Sequence, residues 1–298
     1  MSLVVVGSIA LDSIKTPAGE VNDVLGGSAI YASIAGKYFT DVSIVGVVGE
    51  DFPQAHIDLL NNREINIEGL VKVPGKTFRW KGEYLNLNQA TTLDTQLNVF
   101  AEFKPVLTKG CKTNSVTFLG NIHPTLQLEV LDQIECSDII AMDTMNLWID
   151  ITKNELTEVM KRVDLVFINE DEIKMYAQKS NIFEAIELIL DLGVKYVVVK
   201  RGEYGAIVAS RDDLFFVPVY PIRKVVDPTG AGDSFAGGFV GYLAKMKKYD
   251  FETIKQATIY GTITAANNIQ SFSVENLQHL SETEIENMAG ELKQWIKI

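Results

Sequence analysis

Val225-Val226-Asp227-Pro228-Thr229-Gly230-Ala231-Gly232-Asp233-Ser234-Phe235-Ala236-Gly237-Gly238-Phe239 is the stretch where an extended segment gives way to a helix. An apolar run from Val217 to Val226, broken by Pro218 and Pro221, ends in a Pro-Thr-Gly turn, and Phe235, Phe239 and Leu243 then recur on one helical face. Gly230-Ala231-Gly232 therefore stands at a helix start, where N–H groups lack intrahelical acceptors and attract anions. Asp233 is out of place there, because a carboxylate repels a phosphate unless it takes part in the chemistry. It reads as a helix cap or as a general base, and the local sequence leaves both open.

Residues 227–235, Asp-Pro-Thr-Gly-Ala-Gly-Asp-Ser-Phe, resemble the C-terminal signature of the PfkB, or ribokinase-like, sugar and nucleoside kinases. The resemblance implies that Asp233 deprotonates the substrate hydroxyl and that the amides of Gly230, Ala231 and Gly232 hold the transferring phosphoryl group. It extends over nearly the whole chain, read as one kinase domain, residues 1–298.

Composition narrows the partners. With 298 residues and 47% apolar content the chain can bury a full core. A net charge of −12 argues against nucleic acid or an anionic membrane as partner. No basic leader opens the sequence and no apolar run approaches ~18 residues, so a cytoplasmic location is expected. Cys111 and Cys136 have no metal-ligand spacing around them, and a structural disulfide is not expected in that compartment.

Near the N-terminus, Leu3 to Gly7 reads as a buried first strand whose C-terminal end delivers Asp12. Locally Asp12 suits a solvated turn as well as a site; the family resemblance makes it the carboxylate that accepts hydrogen bonds from substrate hydroxyls. Gly26-Gly27-Ser28-Ala29-Ile30-Tyr31 opens a helix, and the two glycines would let a ligand approach the backbone. It is similar to the family's N-terminal signature, except that Tyr31 stands where many members carry Asn. An aromatic ring there suits a flatter or larger substrate. Two segments, about 13–25 and 71–103, are expected to form a small lid sheet. Arg79, Trp80 and Tyr84 either close over a substrate or serve as edge-strand and dimer contacts, and Asn98 is a similar substrate-binding candidate. Gly75-Lys76-Thr77 is not a P-loop: Leu70 occupies the position of the required first glycine.

From Val116 onward apolar strand, polar tip and helix alternate. The tips are Gly120-Asn121, Asp143, Asn169-Glu-Asp-Glu172 and Lys200-Arg-Gly202. The alternation predicts an α/β fold with a doubly wound, mainly parallel sheet, helices on both faces, and ligands beyond the carboxyl ends of its strands. By resemblance, Asn169 and Glu172 hold the Mg²⁺ of ATP, often through water, as oxygen ligands suit that ion. Lys200, Gly202 and Gly205 form the turn beside the ATP phosphates, and the helix spanning Phe251 to Ile269, with Thr262, flanks the adenine. Gln270 to Glu275 lies where many members bind a monovalent cation such as K⁺, together with Asp227 and Thr229. Ser281 and Glu284 spell a capping box that opens a surface helix reaching Ile298.

These readings make an ATP-dependent kinase acting on a hydroxyl of a sugar or sugar-like molecule, with Asp233 as base. Tyr31 and the aromatic lid favour a nucleoside kinase as the variant reading; a catalytically silent ligand-binding relative is the alternative from another class. A dehydrogenase does not fit, because the third glycine of the dinucleotide fingerprint is missing. Unpaired lid edges offer a route to a homodimer through the lid.

Overall fold

The computed structural model describes residues 3–87 and 89–297. Asn88, within the expected second lid segment, and Ile298, the end of the expected tail helix, lie outside the described residues. The chain begins with β1 (Leu3–Val6), crosses into β2 (Ala10–Thr16) and β3 (Gly19–Gly26), and enters α1 (Ser28–Lys37). β4 (Val42–Gly49), α2 (Gln54–Asn62) and β5 (Asn66–Val73) follow, then β6 (Phe78–Asn86) and β7 (Gln89–Gln96). A regular alternation takes over: β8 (Thr113–Leu119), α3 (Pro124–Leu131), β9 (Cys136–Met142), α4 (Asn146–Ile151), α5 (Lys153–Met160), β10 (Leu165–Asn169), α6 (Glu170–Ala177), α7 (Ile182–Leu190) and β11 (Tyr196–Lys200). The hairpin β12 (Ala206–Ala209) and β13 (Leu214–Val217) leads to α8 (Ala231–Met246), α9 (Phe251–Asn268) and α10 (Glu282–Trp295).

Among the described residues nine strands form one sheet in the order β13-β12-β11-β10-β9-β8-β1-β4-β5, parallel from β11 to β5 and antiparallel only at the β12 and β13 edge. Its strands are rich in Val and Ile because both faces are covered. Leu3 and Val5 pack into one apolar cluster with Ile30 of α1, Phe239 of α8 and Ile263 of α9. Val4 and Val6 pack into another, with Leu156 of α5, Ile173 of α6 and Ile186 of α7. The expected doubly wound sheet is thus present, with helices on both faces.

The smaller sheet has the order β3-β2-β6-β7. Two expectations are corrected here. Asp12 does not sit at the end of the first strand, because β1 stops at Val6 and the chain turns into lid strand β2 before reaching it. Residues 71–73 belong to the main sheet, since β5 pairs in parallel with β4 through Gly49↔Val73. The second lid segment starts at Phe78, and Asn98–Glu102 is a 3₁₀ turn.

α8 carries the turn of interest, and its position is fixed by packing. Phe239 meets Phe167 of β10 edge to face at 5.1 Å between ring centres, and Phe235 meets the same ring at 6.1 Å. Gly237 and Gly241 lie against the backbone of α1, where a Cβ would come within 2.3 Å and 2.8 Å of main-chain atoms. Helices that close leave the start of α8 little freedom to shift.

Candidate active site

Successive parallel strands bring their polar tips to one edge. Asp143 follows β9, Asn169 ends β10 and Lys200 ends β11. Lys200 reaches across the end of β10, and its Nζ lies 2.5 Å from Asp143 Oδ2, with the carboxylate almost wholly buried. Burial alone would lower the Lys200 ammonium's proton affinity, but Asp143 and Glu172 hold it above the ordinary lysine value. On its other side Lys200 abuts the start of α8 and the turn that leads into it: a Cβ at Gly232 would lie 3.0 Å from Nζ.

That turn has Gly230 as N-cap, with φ +73°, so Asp233 is the third residue of the helix and not its cap. The capping alternative therefore falls. Ala231 N–H donates to Pro228 O at 3.1 Å, which corrects the expectation that all three amides face a ligand. The first-turn N–H groups of Gly230 and Gly232 have no intrahelical acceptor. Burial pushes the Asp233 carboxyl up to about 7, the Asp143 charge adding and the Lys200 ammonium opposing. A carboxyl poised near neutrality is suited to taking a proton from an alcohol.

The lid supplies the opposite wall. Asp12, 4% exposed, lies against Gly26, where a Cβ would come within 1.9 Å of its Oδ2. The neighbouring Gly27 backbone favours its charged form. Gly26 thus makes room for this carboxylate, and Gly27, with φ +98°, for the backbone of Ser8. Burial, then the charges of Asp227 and Asp233, push Asp12 up to about 8. Tyr84 of β6 and Thr229 meet hydroxyl to hydroxyl at 3.2 Å, and Thr16 Oγ1 donates to Val226 O at 2.7 Å, so the lid rests on the segment that precedes α8.

The sequence of pfkB family carbohydrate kinases matches residues 2–279 of this chain. The chain belongs to the pfkB family. A cytidine kinase of Thermococcus kodakarensis is 29% identical over 249 residues, which cover 81% of this chain and 88% of that protein. A nucleoside kinase of Methanocaldococcus jannaschii, an archaeal member of the ribokinase family, superposes with a TM-score of 0.79 at 20% identity, covering 98% of this chain and 99% of that one. A ribokinase II of E. coli solved with ATP and Mg²⁺ superposes with a TM-score of 0.80 at 20% identity, covering 97% and 99%. No helix among the described residues is long and apolar enough to cross a membrane.

Within this pfkB fold the remaining expected site residues divide. Tyr31 is 1% exposed, and its ring lies under Gly230, where a Cβ would fall 2.4 Å from ring carbons. It supports the turn from below and does not present a flat face to a substrate, as its sequence position suggested. Arg79 sits on the lid face opposite Asp12, bound to Asp51 at 2.8 Å and Asp23 at 3.1 Å, and is not brought to the acid cluster. Asn98 donates to Thr77 O at 3.0 Å and holds the 3₁₀ turn in place. Thr262 directs its hydroxyl to Thr258 O within α9. Gly202 and Gly205, with φ +53° and +83°, shape the turn after β11, and a Cβ at Gly205 would strike Val217 O.

Asn169 and Glu172 form a capping box at the start of α6, each side chain accepting from the other's backbone N–H at 2.8 and 2.9 Å. Burial pushes Glu172 up to about 7, against the pull of Lys200. Among the described residues no group of three or more His, Cys, Asp or Glu is arranged to hold a metal ion. One buried carboxylate beside one amide oxygen, both already anchored, suits a cation that arrives with a nucleotide and keeps its waters. Asp227 Oδ1 accepts from Thr229 N at 2.9 Å, while its buried Oδ2 has no hydrogen-bond partner. Trp80 and Tyr84 are legible in the sequence only as lid residues with two possible roles, and Asp143 is not distinguished there as a site residue. Asp143 was visible only as a polar tip, although an acid immediately after a buried strand, two strands from a lysine in the same position, was the available signal.

Proposed function

We propose that this protein is an ATP-dependent kinase that phosphorylates a hydroxyl of a sugar or nucleoside, with Asp233 as general base. The observation that carries the reading is the half-buried Asp233 carboxyl in the first turn of α8, beside Lys200 at one edge of the sheet and near enough to the lid acid Asp12 for the two charges to act on each other. Asp12 orients the acceptor by accepting hydrogen bonds from its hydroxyls. Asp233 takes the proton of the attacking hydroxyl as its oxygen bonds to the γ-phosphorus and the bond to ADP breaks. The N–H groups of Gly230 and Gly232 and the Lys200 ammonium stabilise the charge on the phosphoryl oxygens.

Glu172 and Asn169 would hold Mg²⁺ through water; the ion supplies charge neutralisation on the ATP phosphates. The bare Asp227 Oδ2 supports a K⁺ site beside Thr229. The chain is read as one kinase domain with the small sheet as its lid. The outer edges of β3 and β7 end the order of that sheet and are where a second copy would pair to form a homodimer.

ADP release measured with Mg-ATP and ribose, fructose, adenosine, inosine or cytidine tests the reading. Acceptor-dependent release with one of them is expected; binding of such compounds without any ADP release would point to a silent relative.

A further inference from the structure

Asp12 and Ile14 of β2 pair in parallel register with Trp80 and Gly82 of β6, so Trp80 is the direct neighbour of Asp12 and shares its face of the lid. That face is the inner one: Asp12, Ile14 and Thr16 are buried, whereas Ser13 and Lys15 on the other face are progressively exposed. The Trp80 indole does not stand up from the strand. It lies along it, over Gly82, where a Cβ would come within 2.1 Å of Cη2 and 2.4 Å of Cζ2. Glycine inside a strand weakens the strand and marks a close approach, here by this ring. Trp80 Nε1 donates to Thr92 Oγ1 at 3.2 Å, which pins the indole in its plane, and the residue remains only half-buried.

We infer that Trp80 is the platform on which the planar base of a nucleoside acceptor stacks while Asp12 holds the sugar hydroxyls. This assignment rests on the kinase reading above and adds the substrate class. Asp12 marks where hydroxyls are gripped. The indole starts at the same level and runs on over Gly82, roughly 7 Å along the strand at about 3.3 Å per residue. One sugar ring satisfies Asp12 without needing that length, and a second, flat ring attached to it fills the platform. The charges agree with a neutral acceptor: Asp12, Asp227 and Asp233 act on one another through space, and the one basic residue of the lid strand nearest Asp12, Arg79, is turned to the other face. A sugar phosphate would meet carboxylates, not cations. Base-on-aromatic stacking contributes about 1–3 kcal/mol, which is about 5- to 150-fold in affinity.

Trp80→Leu and Trp80→Phe, assayed with the best nucleoside of the panel and with ribose, test the inference. Trp80→Leu is expected to lower kcat/KM for the nucleoside at least 5-fold through KM, to change that for ribose less than 2-fold, and Trp80→Phe to recover most of the loss. Cytidine or adenosine added without ATP is expected to quench tryptophan fluorescence in the wild type and much less in Trp80→Phe, a readout that needs no turnover. Equal losses for nucleoside and ribose, or quenching that survives Trp80→Phe, would overturn the platform while leaving the kinase reading intact. Absence of ADP release from every acceptor would instead sink the kinase reading itself.

Discussion

Lys200 of β11 is held 2.5 Å from Asp143 after β9, across the end of the strand between them, and its ammonium borders Gly232 at the start of α8. The pair puts a fixed positive charge where the transferring phosphate is expected, and the acid that fixes it is buried. Lys200→Met is therefore predicted to do two separable things. It removes a charge-assisted contact to phosphate of about 1.5–3 kcal/mol, raising the KM for ATP roughly 10- to 100-fold. It also strands a buried carboxylate, which costs about 3–5 kcal/mol of stability. Adding Asp143→Asn should restore much of the Tm without restoring the KM. Thermal melts and steady-state kinetics on the wild type and these two variants check this, and recovery of both quantities together would remove the phosphate contact.

Asp233→Asn keeps the shape of the turn and deletes the carboxylate proposed as base. Turnover is predicted to fall about 10²- to 10⁴-fold, with the fold and ATP binding retained. Because burial and Asp143 lift this carboxyl to about 7, the active carboxylate form accumulates only as pH rises through neutrality. Hence kcat/KM should climb from pH 6 to 8 and level off above. In Asp143→Asn the carboxyl loses a repelling neighbour and gains more of the Lys200 charge, so the midpoint should move to lower pH. A profile flat across this range in the wild type would exclude the assignment.

Much of this site was legible in the sequence because it follows from strand ends. Apolar runs closing on Asp143, Asn169 and Lys200 dictate that these residues share an edge, and the Gly-Ala-Gly-Asp turn before Phe235 announces a helix start. What stayed hidden depends on contacts between residues far apart in the chain. Nothing near Tyr31 says that its ring will lie beneath Gly230. The alternating pattern at Arg79 cannot say which face of the lid strand points inward, and only the pairing of Leu11 with Arg79 and Asp12 with Trp80 settles it. Val71 to Val73 reads as lid strand by alternation alone, yet it completes β5 because β4 offers an unpaired parallel edge.

The contact between Tyr31 and Gly230 gives a prediction in which ring and hydroxyl act oppositely. Gly230→Ala places a Cβ 2.4 Å from the ring and a side chain at φ +73°, so the turn must deform. The left-handed conformation alone costs about 1–2 kcal/mol, and activity should fall with the Tm. Tyr31→Phe keeps the support and deletes a buried hydroxyl that has no hydrogen-bond partner. Leaving such a group unsatisfied costs about 1–3 kcal/mol, so this variant should melt a few degrees higher. A lower Tm for Tyr31→Phe would show that the hydroxyl is satisfied in solution.

Asp12 provides the test of whether the acceptor pocket is maintained at the expense of stability. Its carboxyl ionises near 3.8 in an unfolded chain and at about 8 in the folded protein, where burial and the Asp227 and Asp233 charges oppose ionisation. The folded state therefore holds a proton that the unfolded state has lost. The stabilisation from this group is present in full below about pH 4, shrinks as pH rises, and is gone above about pH 8. Asp12→Asn, which cannot ionise, is predicted to change the Tm little at pH 5 and to raise it at pH 8.5, where the gain in stability is on the order of a few kcal/mol. The same substitution replaces one acceptor oxygen by a donor, so the KM for the phosphate acceptor, measured at pH 8.5 where Asp12 is largely ionised, should rise by at least about 10-fold, the size of one charge-assisted hydrogen bond. Melts of both proteins across pH 5 to 9 decide the matter: parallel curves would mean that Asp12 is ionised in the folded state throughout and that its charge is met by a partner.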